Sequence, residues 1–242
     1  MIHSYNIINV RPGCQDLWNA FMVNGATFSE HDIPFCPSTA ISVPDALISF
    51  SNAKSIYKKE LSIGNSQFHN NAFVHFCIDD QKFDGIKSGI WSNPYGALKI
   101  LKHFSGVITP DFSTYADFPD PLKRWNTYRM RAFGLWLSQF QIPIINNVRW
   151  GDIETWDYCF DGLPTNSILF IGTVASGLRE LSNRPLFDKG LLELIRRLHP
   201  HTLVIYGSTR YPIFNDIQKL GINIVAFPSD TSIAYGRGEQ HE

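Results

Sequence analysis

The chain predicts an α/β fold, with a mostly parallel sheet of six or more strands built from βα units. The sheet would be either open and doubly wound or a partial barrel, preceded by an N-terminal extension. Two observations carry this reading. Short apolar runs alternate with helix-like segments at the spacing of a βα unit. Each run then passes directly into charged or hydroxyl residues. That composition suits the carboxyl ends of parallel strands, where ligands bind in barrels and open sheets alike.

The strands expected are Phe73–Ile78, Gly106–Ile108, Ile142–Val148, Ile168–Gly172, Thr202–Tyr206 and Ile222–Phe227. Between them, helices are expected over Asn93–Phe104, from Pro119 to about Gln139, and over Ile153–Phe160, Leu186–Leu198 and Pro212–Leu220. Gly221 reads as the terminator of the last, because glycine takes the left-handed cap conformation. Helices on both faces of the sheet are the first expectation and a partial barrel the alternative, since periodicity does not supply strand order. Residues 1–71 read as an extension packed on the main domain, with prolines at 12, 34, 37 and 44, a helix at Asp45–Leu61 and one more strand near Ile33–Phe35. Residues 72–234 form the α/β domain, and the small, polar segment 235–242 reads as a disordered tail.

The composition narrows the setting. A hydrophobic content of 44% with 18% charged residues is that of a globular chain and excludes disorder. The formal net charge of −1 gives no global field for non-specific attachment to nucleic acid or an anionic membrane. Cys14, Cys36, Cys77 and Cys159 form no CxxC pair, which argues against structural zinc and fits a reducing, cytoplasmic compartment. No secretory leader or membrane-length apolar run is read.

The candidate chemistry sits at the strand ends. Asp79 and Asp80 close the first run, and alternation of side chains along a strand should send one of the two towards the rim. Pro110 stops the second ladder and leaves Asp111 and Ser113 beyond it. Arg149 and Trp150 leave the third run, and an arginine emerging from a buried strand requires a carboxylate or a bound anion. Asp152 stands where it can cap the following helix or act in the site. On the longest helix, Leu122, Trp125, Arg129, Phe133, Trp136 and Phe140 share one stripe, so Arg129 interrupts a face expected to meet the sheet, with Asn126 one turn earlier. Arg124, Thr127 and Arg131 fall on a face expected to meet solvent. Tyr206 and Ser208 flank a glycine at the end of the fifth run. His75 reads as a core residue, and His199 and His201 as residues of the far end of the sheet. No GxSxG elbow, HExxH, GxGxxG or P-loop occurs.

Taken in order, Pro110-Asp111-Phe112-Ser113, Arg124-Trp125-Asn126-Thr127-Tyr128-Arg129, Val148-Arg149-Trp150-Gly151-Asp152, Phe160-Asp161-Gly162-Leu163-Pro164 and Tyr206-Gly207-Ser208 resemble an uncharacterised domain-of-unknown-function family of bacterial, phage and mobile-element proteins. The resemblance runs from about Phe73 to Pro228, implies a mobile-element setting and brings no activity. The residues themselves lead to an expected enzyme, a hydrolase or transferase, acting on an anionic, phosphate-containing nucleotide or nucleic-acid substrate. Asp80, Asp111 and Asp152 would be its catalytic acids. Asp79, Ser113, Asn126, Arg129, Arg149, Trp150, Tyr206 and Ser208 would hold the substrate. A divalent metal such as Mg²⁺ is the candidate cofactor. The alternative is a non-catalytic nucleotide- or protein-binding accessory whose partner is a host or element-encoded protein.

Overall fold

The computed structural model describes residues 3–4, 16, 18–86, 88–174 and 176–233. Their main feature is a seven-stranded sheet, all parallel, whose strands lie side by side in chain order. The strands are β3 (Leu47–Ser49), β4 (Asn70–His75), β5 (Phe104–Ile108), β6 (Ile144–Asn147), β7 (Ile168–Gly172), β8 (Thr202–Tyr206) and β9 (Asn223–Phe227). A short antiparallel pair, β1 (His3–Ser4) and β2 (Thr27–Phe28), lies outside this sheet.

The helices between the strands are α1 (Phe50–Ser62), α2 (Pro94–Leu101), α3 (Asp120–Ser138), α4 (Trp156–Cys159), α5 (Arg184–Leu198) and α6 (Pro212–Lys219). All of them cover one face of the sheet. Val74, Phe76, Val107 and Ile144 meet α1, α2 and α3 in one apolar cluster, and Leu169, Ile171, Leu203 and Ile205 meet α4, α5 and α6 in another. The alternate strand residues Phe73, Ile108, Ile145, Phe170, Val204 and Tyr206 form a third cluster that contains no helix residue. The His75 ring on β4 lies 4.3 Å from the Tyr206 ring on β8, so the sheet curls until its second and sixth strands touch across the hollow. The architecture is therefore the half-barrel, and the expectation of helices on both faces is corrected. Strands in unbroken chain order, joined by right-handed crossovers, put every helix on the same side, whereas double winding needs a reversal of order.

The amino end of the hollow is plugged by the chain itself. The Ser38 hydroxyl donates to the carbonyls of Ile144 (3.4 Å) and Ile168 (3.3 Å), and the Ile144 amide donates to Thr39 Oγ1 at 2.9 Å. Behind these bonds, Ala40, Val43 and Leu47 pack into the inner cluster. The opposite, carboxyl end stays open, and that asymmetry positions the site.

Several local expectations change. The helix foreseen over Asp45–Leu61 begins at Phe50, because Leu47, Ile48 and Ser49 pair with Phe73, Val74 and His75 and become the first strand. Ser49 then caps α1 by accepting from the Asn52 amide at 3.4 Å. Residues 47–62, assigned to the extension, thus supply the first βα unit of the main sheet. The strand foreseen near Ile33–Phe35 is only an isolated bridge between Phe28 and Pro34. β4 ends at His75 rather than Ile78, because the Cys77 amide turns back to His75 Nδ1. Gly221 ends α6 at φ +85°, as its position suggested. The tail 235–242 lies outside the described residues.

The buried face of α3 takes in Arg129, Phe133 and Trp136 of the expected stripe and extends beyond it. Leu122 and Phe140 are exposed, while Lys123, Thr127 and Arg131 are buried. Apolar periodicity misses these three because buried polar groups find partners. The fully buried Arg131 donates to the carbonyls of Asp161 (3.1 Å), Asn147 (3.1 Å) and Cys159 (2.9 Å), fastening α3 to β6 and to the end of α4. Burial pulls its guanidinium down to about 10, still charged at neutral pH. Arg131→Ala should lower the unfolding free energy by about 3 kcal/mol or more, since it orphans these carbonyls and leaves a cavity. Arg131→Lys should recover little of that loss, because an ammonium does not reproduce the planar fork. Urea unfolding followed by tryptophan fluorescence measures both.

Candidate functional site

The open mouth of the half-barrel encloses a cavity of about 720 Å³, within the usual range of small-molecule sites. Asp79, Asp80, Asp111, Ser113, Arg149 and Tyr206 all line it, drawn from the ends of β4, β5, β6 and β8. Cys77, Lys82, Tyr115 and Asp230 line it as well.

A buried ion pair stands at one side. Arg149 Nη1 donates to Asp111 Oδ2 at 3.0 Å, with side-chain exposures of only 12% and 9%. Asn147 Nδ2 donates to the other carboxylate oxygen at 2.7 Å. Burial alone would push the Arg149 guanidinium down, but Asp111, with Cys77, Tyr115 and Asp80 adding to it, holds it above its ordinary value. Arg149 thus has its carboxylate inside the protein, and the arginine expected to hold an anion is already neutralised.

Asp80 lies near enough to that pair to feel both charges. Its carboxylate accepts from the Ser113 hydroxyl at 3.0 Å and from the Ser113 amide at 3.3 Å. Burial raises its pKa; the Ser113 hydrogen bonds work against the rise, Asp111 adds to it and Arg149 lowers it. Asp79 is the outer member of the doublet, with a largely exposed carboxylate 2.9 Å from Lys82. Cys77 is a half-buried thiol pushed well above its ordinary value by desolvation and then by Asp111, so it stays protonated and weakly nucleophilic.

The remaining expected residues lie outside the cavity. Arg129 Nη1 pairs with Asp84 at 2.7 Å, its guanidinium carbon stacks 3.9 Å from the Phe112 ring centre, and Nη2 donates to Asn126 at 2.6 Å. Asn126 in turn donates to the Ser113 carbonyl, so this group braces Ser113 from behind without facing the hollow. Asp152 pairs with the buried Lys123 at 2.7 Å and caps the turn at the Thr155 amide, 3.1 Å away. Trp150 lines an adjoining apolar cavity of about 250 Å³ with Phe187 and Leu186, sharing Tyr115 and Arg149 with the mouth. Ser208 lines a third cavity beyond β8.

His75 and Asp230 were not among the expected site residues. The alternation that puts Phe73 inside puts His75 and Cys77 inside too, so parity along β4 was a usable signal for both. His75 Nε2 is buried with no hydrogen-bond partner among the described residues, and burial pulls the imidazole down to about 4. Asp230 reaches the rim through a tertiary bond, its amide donating to the Tyr206 hydroxyl at 2.9 Å. Among the described residues, no three His, Cys, Asp or Glu side chains stand close enough together to hold a metal ion. No described helix is long and apolar enough to cross a membrane.

The sequence match bears on the whole of this architecture, running over residues 27–228. The chain belongs to the family described as Domain of unknown function (DUF4417). The match begins well before the stretch whose motifs carried the resemblance and takes in β3 and α1. This DUF4417 chain is 35% identical over 143 residues to the "Gene 1 protein" of Mycobacterium phage L5, covering 59% of this chain and 60% of that protein. It is 34% identical over 139 residues to the "Gene 1 protein" of Mycobacterium phage D29, covering 57% and 49%. The chain therefore spans less than two thirds of the length of these relatives. Their phage origin agrees with the mobile-element setting that the resemblance implied. No solved structure matches the chain significantly.

Two outcomes follow for the DUF4417 mouth. Asp111→Ala or Arg149→Ala should each cost about 3–5 kcal/mol by stranding a buried charge, and the double variant should cost clearly less than their sum in a double-mutant cycle of unfolding free energies. His75 is held neutral in the folded state, near pKa 4 against an ordinary 6.5. Its stabilising contribution is complete above about pH 6.5 and lost as the pH falls towards 4, amounting to about 3 kcal/mol. Unfolding curves across that window should flatten in His75→Asn.

Proposed function

We propose that this DUF4417 protein is an enzyme that moves a proton to or from a hydroxyl group of a small polar molecule held in the carboxyl mouth of the half-barrel. Asp80 is the proton-exchanging group, and the Asp111–Arg149 pair is the fixed wall that orients the ligand. The observation that carries this reading is Asp80 itself. It is a half-buried carboxylate with a raised pKa at an open cavity, hydrogen-bonded to Ser113 and in no ion pair with a described cation. Such a group exchanges protons nearer neutrality than an ordinary aspartate does.

The charge of the mouth refines the substrate. Among the described residues of the lining, Asp79, Asp80, Asp111 and Asp230 face Lys82 and Arg149, and both cations are already in ion pairs. A phosphate group placed here would meet a negative lip, and a nucleic-acid backbone would meet the same repulsion. The hydroxyl-bearing part of the ligand belongs in the mouth, and any anionic part belongs beside it. Asp152 and Arg129 take no part in the reaction, since Lys123 and Asp84 occupy them.

The mutual neutralisation of Asp111 and Arg149 also favours a second reading, a binding protein that returns its ligand unchanged. A panel of sugars, nucleosides and their phosphate esters, screened by thermal shift and then followed by mass spectrometry, decides between them. The enzyme reading expects at least one converted compound. It also expects Asp80→Asn to slow that conversion about 10²- to 10⁴-fold with little change in binding. Tight binding without conversion establishes the second reading, and conversion at the normal rate by Asp80→Asn removes Asp80 from the mechanism.

A further inference from the structure

The segments that follow β7, β8 and β9 enclose a cavity of about 910 Å³ beside the mouth. The two cavities share Val174, Ser229 and Thr231 as a common wall. Their charges are opposite. The mouth is rich in carboxylates, whereas Arg179 and Arg210 line the second cavity against Glu180 alone.

These two arginines differ from the others among the described residues. Arg124, Arg129, Arg149, Arg196 and Arg197 each meet a carboxylate. Arg131 is held by backbone carbonyls. Arg184 donates to the Leu178 carbonyl at 3.0 Å and lies over the Tyr211 ring at 5.3 Å. Arg179 and Arg210 have no such partner, and both are exposed on the same concavity. Arg184 also explains why they are neighbours. It ties residue 178 to residue 211, so the positions that follow and precede these residues are brought to one rim.

The floor beneath them is polar and fixed. Thr173 Oγ1 donates to the Ser208 carbonyl at 3.1 Å, locking the end of β7 to the loop after β8. Ser208 Oγ accepts from the Arg210 amide at 3.3 Å and sets the turn that presents Arg210. Gly207 lies at φ +117°, where a Cβ would come within 2.4 Å of Thr173 Oγ1, so only glycine lets the two loops approach this closely. Thr209, Thr231 and Ser232 add hydroxyl groups to the walls.

We propose that this cavity is the binding site for a phosphate monoester group, held between the Arg179 and Arg210 guanidiniums with hydroxyl donors from Ser208 and Thr209. Guanidinium pairs match the geometry and charge of a phosphate dianion. The organic half of the same ligand then crosses the shared wall into the mouth, where Asp80 meets its hydroxyl. The inference rests on that reading of the mouth and adds to it the substrate class, a phosphorylated hydroxyl compound.

The test uses inorganic phosphate as the probe, titrated into the full chain at constant ionic strength in chloride. Binding is read by thermal shift and ³¹P line broadening. The wild-type protein and Asp80→Asn should bind phosphate alike. The double variant Arg179→Gln/Arg210→Gln should bind it at least tenfold more weakly while melting normally without phosphate. An oligonucleotide lacking a terminal phosphate should compete poorly. Equal binding by the double variant, no binding by the wild type, or equal competition by the oligonucleotide would each overturn the proposal. Turnover of an unphosphorylated hydroxyl compound that depends on Asp80, in a protein that ignores phosphate, would overturn this site and leave the mouth reading standing. Phosphate binding that depends on the arginines, without any turnover, would do the reverse.

Discussion

The contact between the rings of His75 and Tyr206 joins the second and sixth strands of the sheet across its hollow. Seven parallel strands in chain order carry all their helices on one face, which leaves the other face apolar and uncovered. Curling is how that face is buried, because the sheet packs against itself and against the strap that holds Ala40 and Val43. The strap satisfies the first carbonyls of β6 and β7 through Ser38 and the Ile142 carbonyl before β6 through Thr39, so the amino end is closed. Only the carboxyl end can then admit a ligand. The cavities, the acidic lip and the two free arginines all lie there as a consequence of that one geometric constraint.

Buried arginines do much of the internal fastening. Arg131 pins α3 to β6 through backbone carbonyls, and Arg129 braces the loop that carries Ser113 through Asn126 and Phe112. Arg149 sits at the cavity wall but is neutralised from within by Asp111. Each guanidinium was removed from water, and each met a carboxylate or backbone carbonyls in return, which is the condition under which a buried charge is tolerated. The arginines that stay unpaired among the described residues are those on the outer loops, Arg179 and Arg210. A charge that is not needed to hold the fold together is one that can meet a ligand.

This division bears on how much of the protein could be read from its residues. The strand-to-loop transitions at Asp79-Asp80, Asp111 and Arg149 were legible, and the fold gathers these residues at one cavity. The long α3 helix was legible in its ends, at Asp120 and Ser138, but only partly in its orientation. Its stripe found the buried Arg129, Phe133 and Trp136 but missed Lys123, Thr127 and Arg131, which are polar and inside. Asp152 and Arg129 had the right residue types at plausible strand-end and helix positions, yet Lys123 and Asp84 claim them. Those partners lie 29 and 45 residues away, a separation at which no local pattern records the pairing.

By itself the sequence determined the alternation of strand and helix, because side-chain periodicity and turn chemistry are local properties. It also determined which residues would stand beyond the strand ends, since a proline or a charge stops a ladder wherever it falls. Tertiary structure alone decided the strand order, and with it the choice of half-barrel over a doubly wound sheet. Long-range pairing likewise decided which charges cancel within the protein and which are left for a ligand. Both are settled by contacts between segments far apart in the chain, where the energy of burying a face or a charge depends on what lies opposite it.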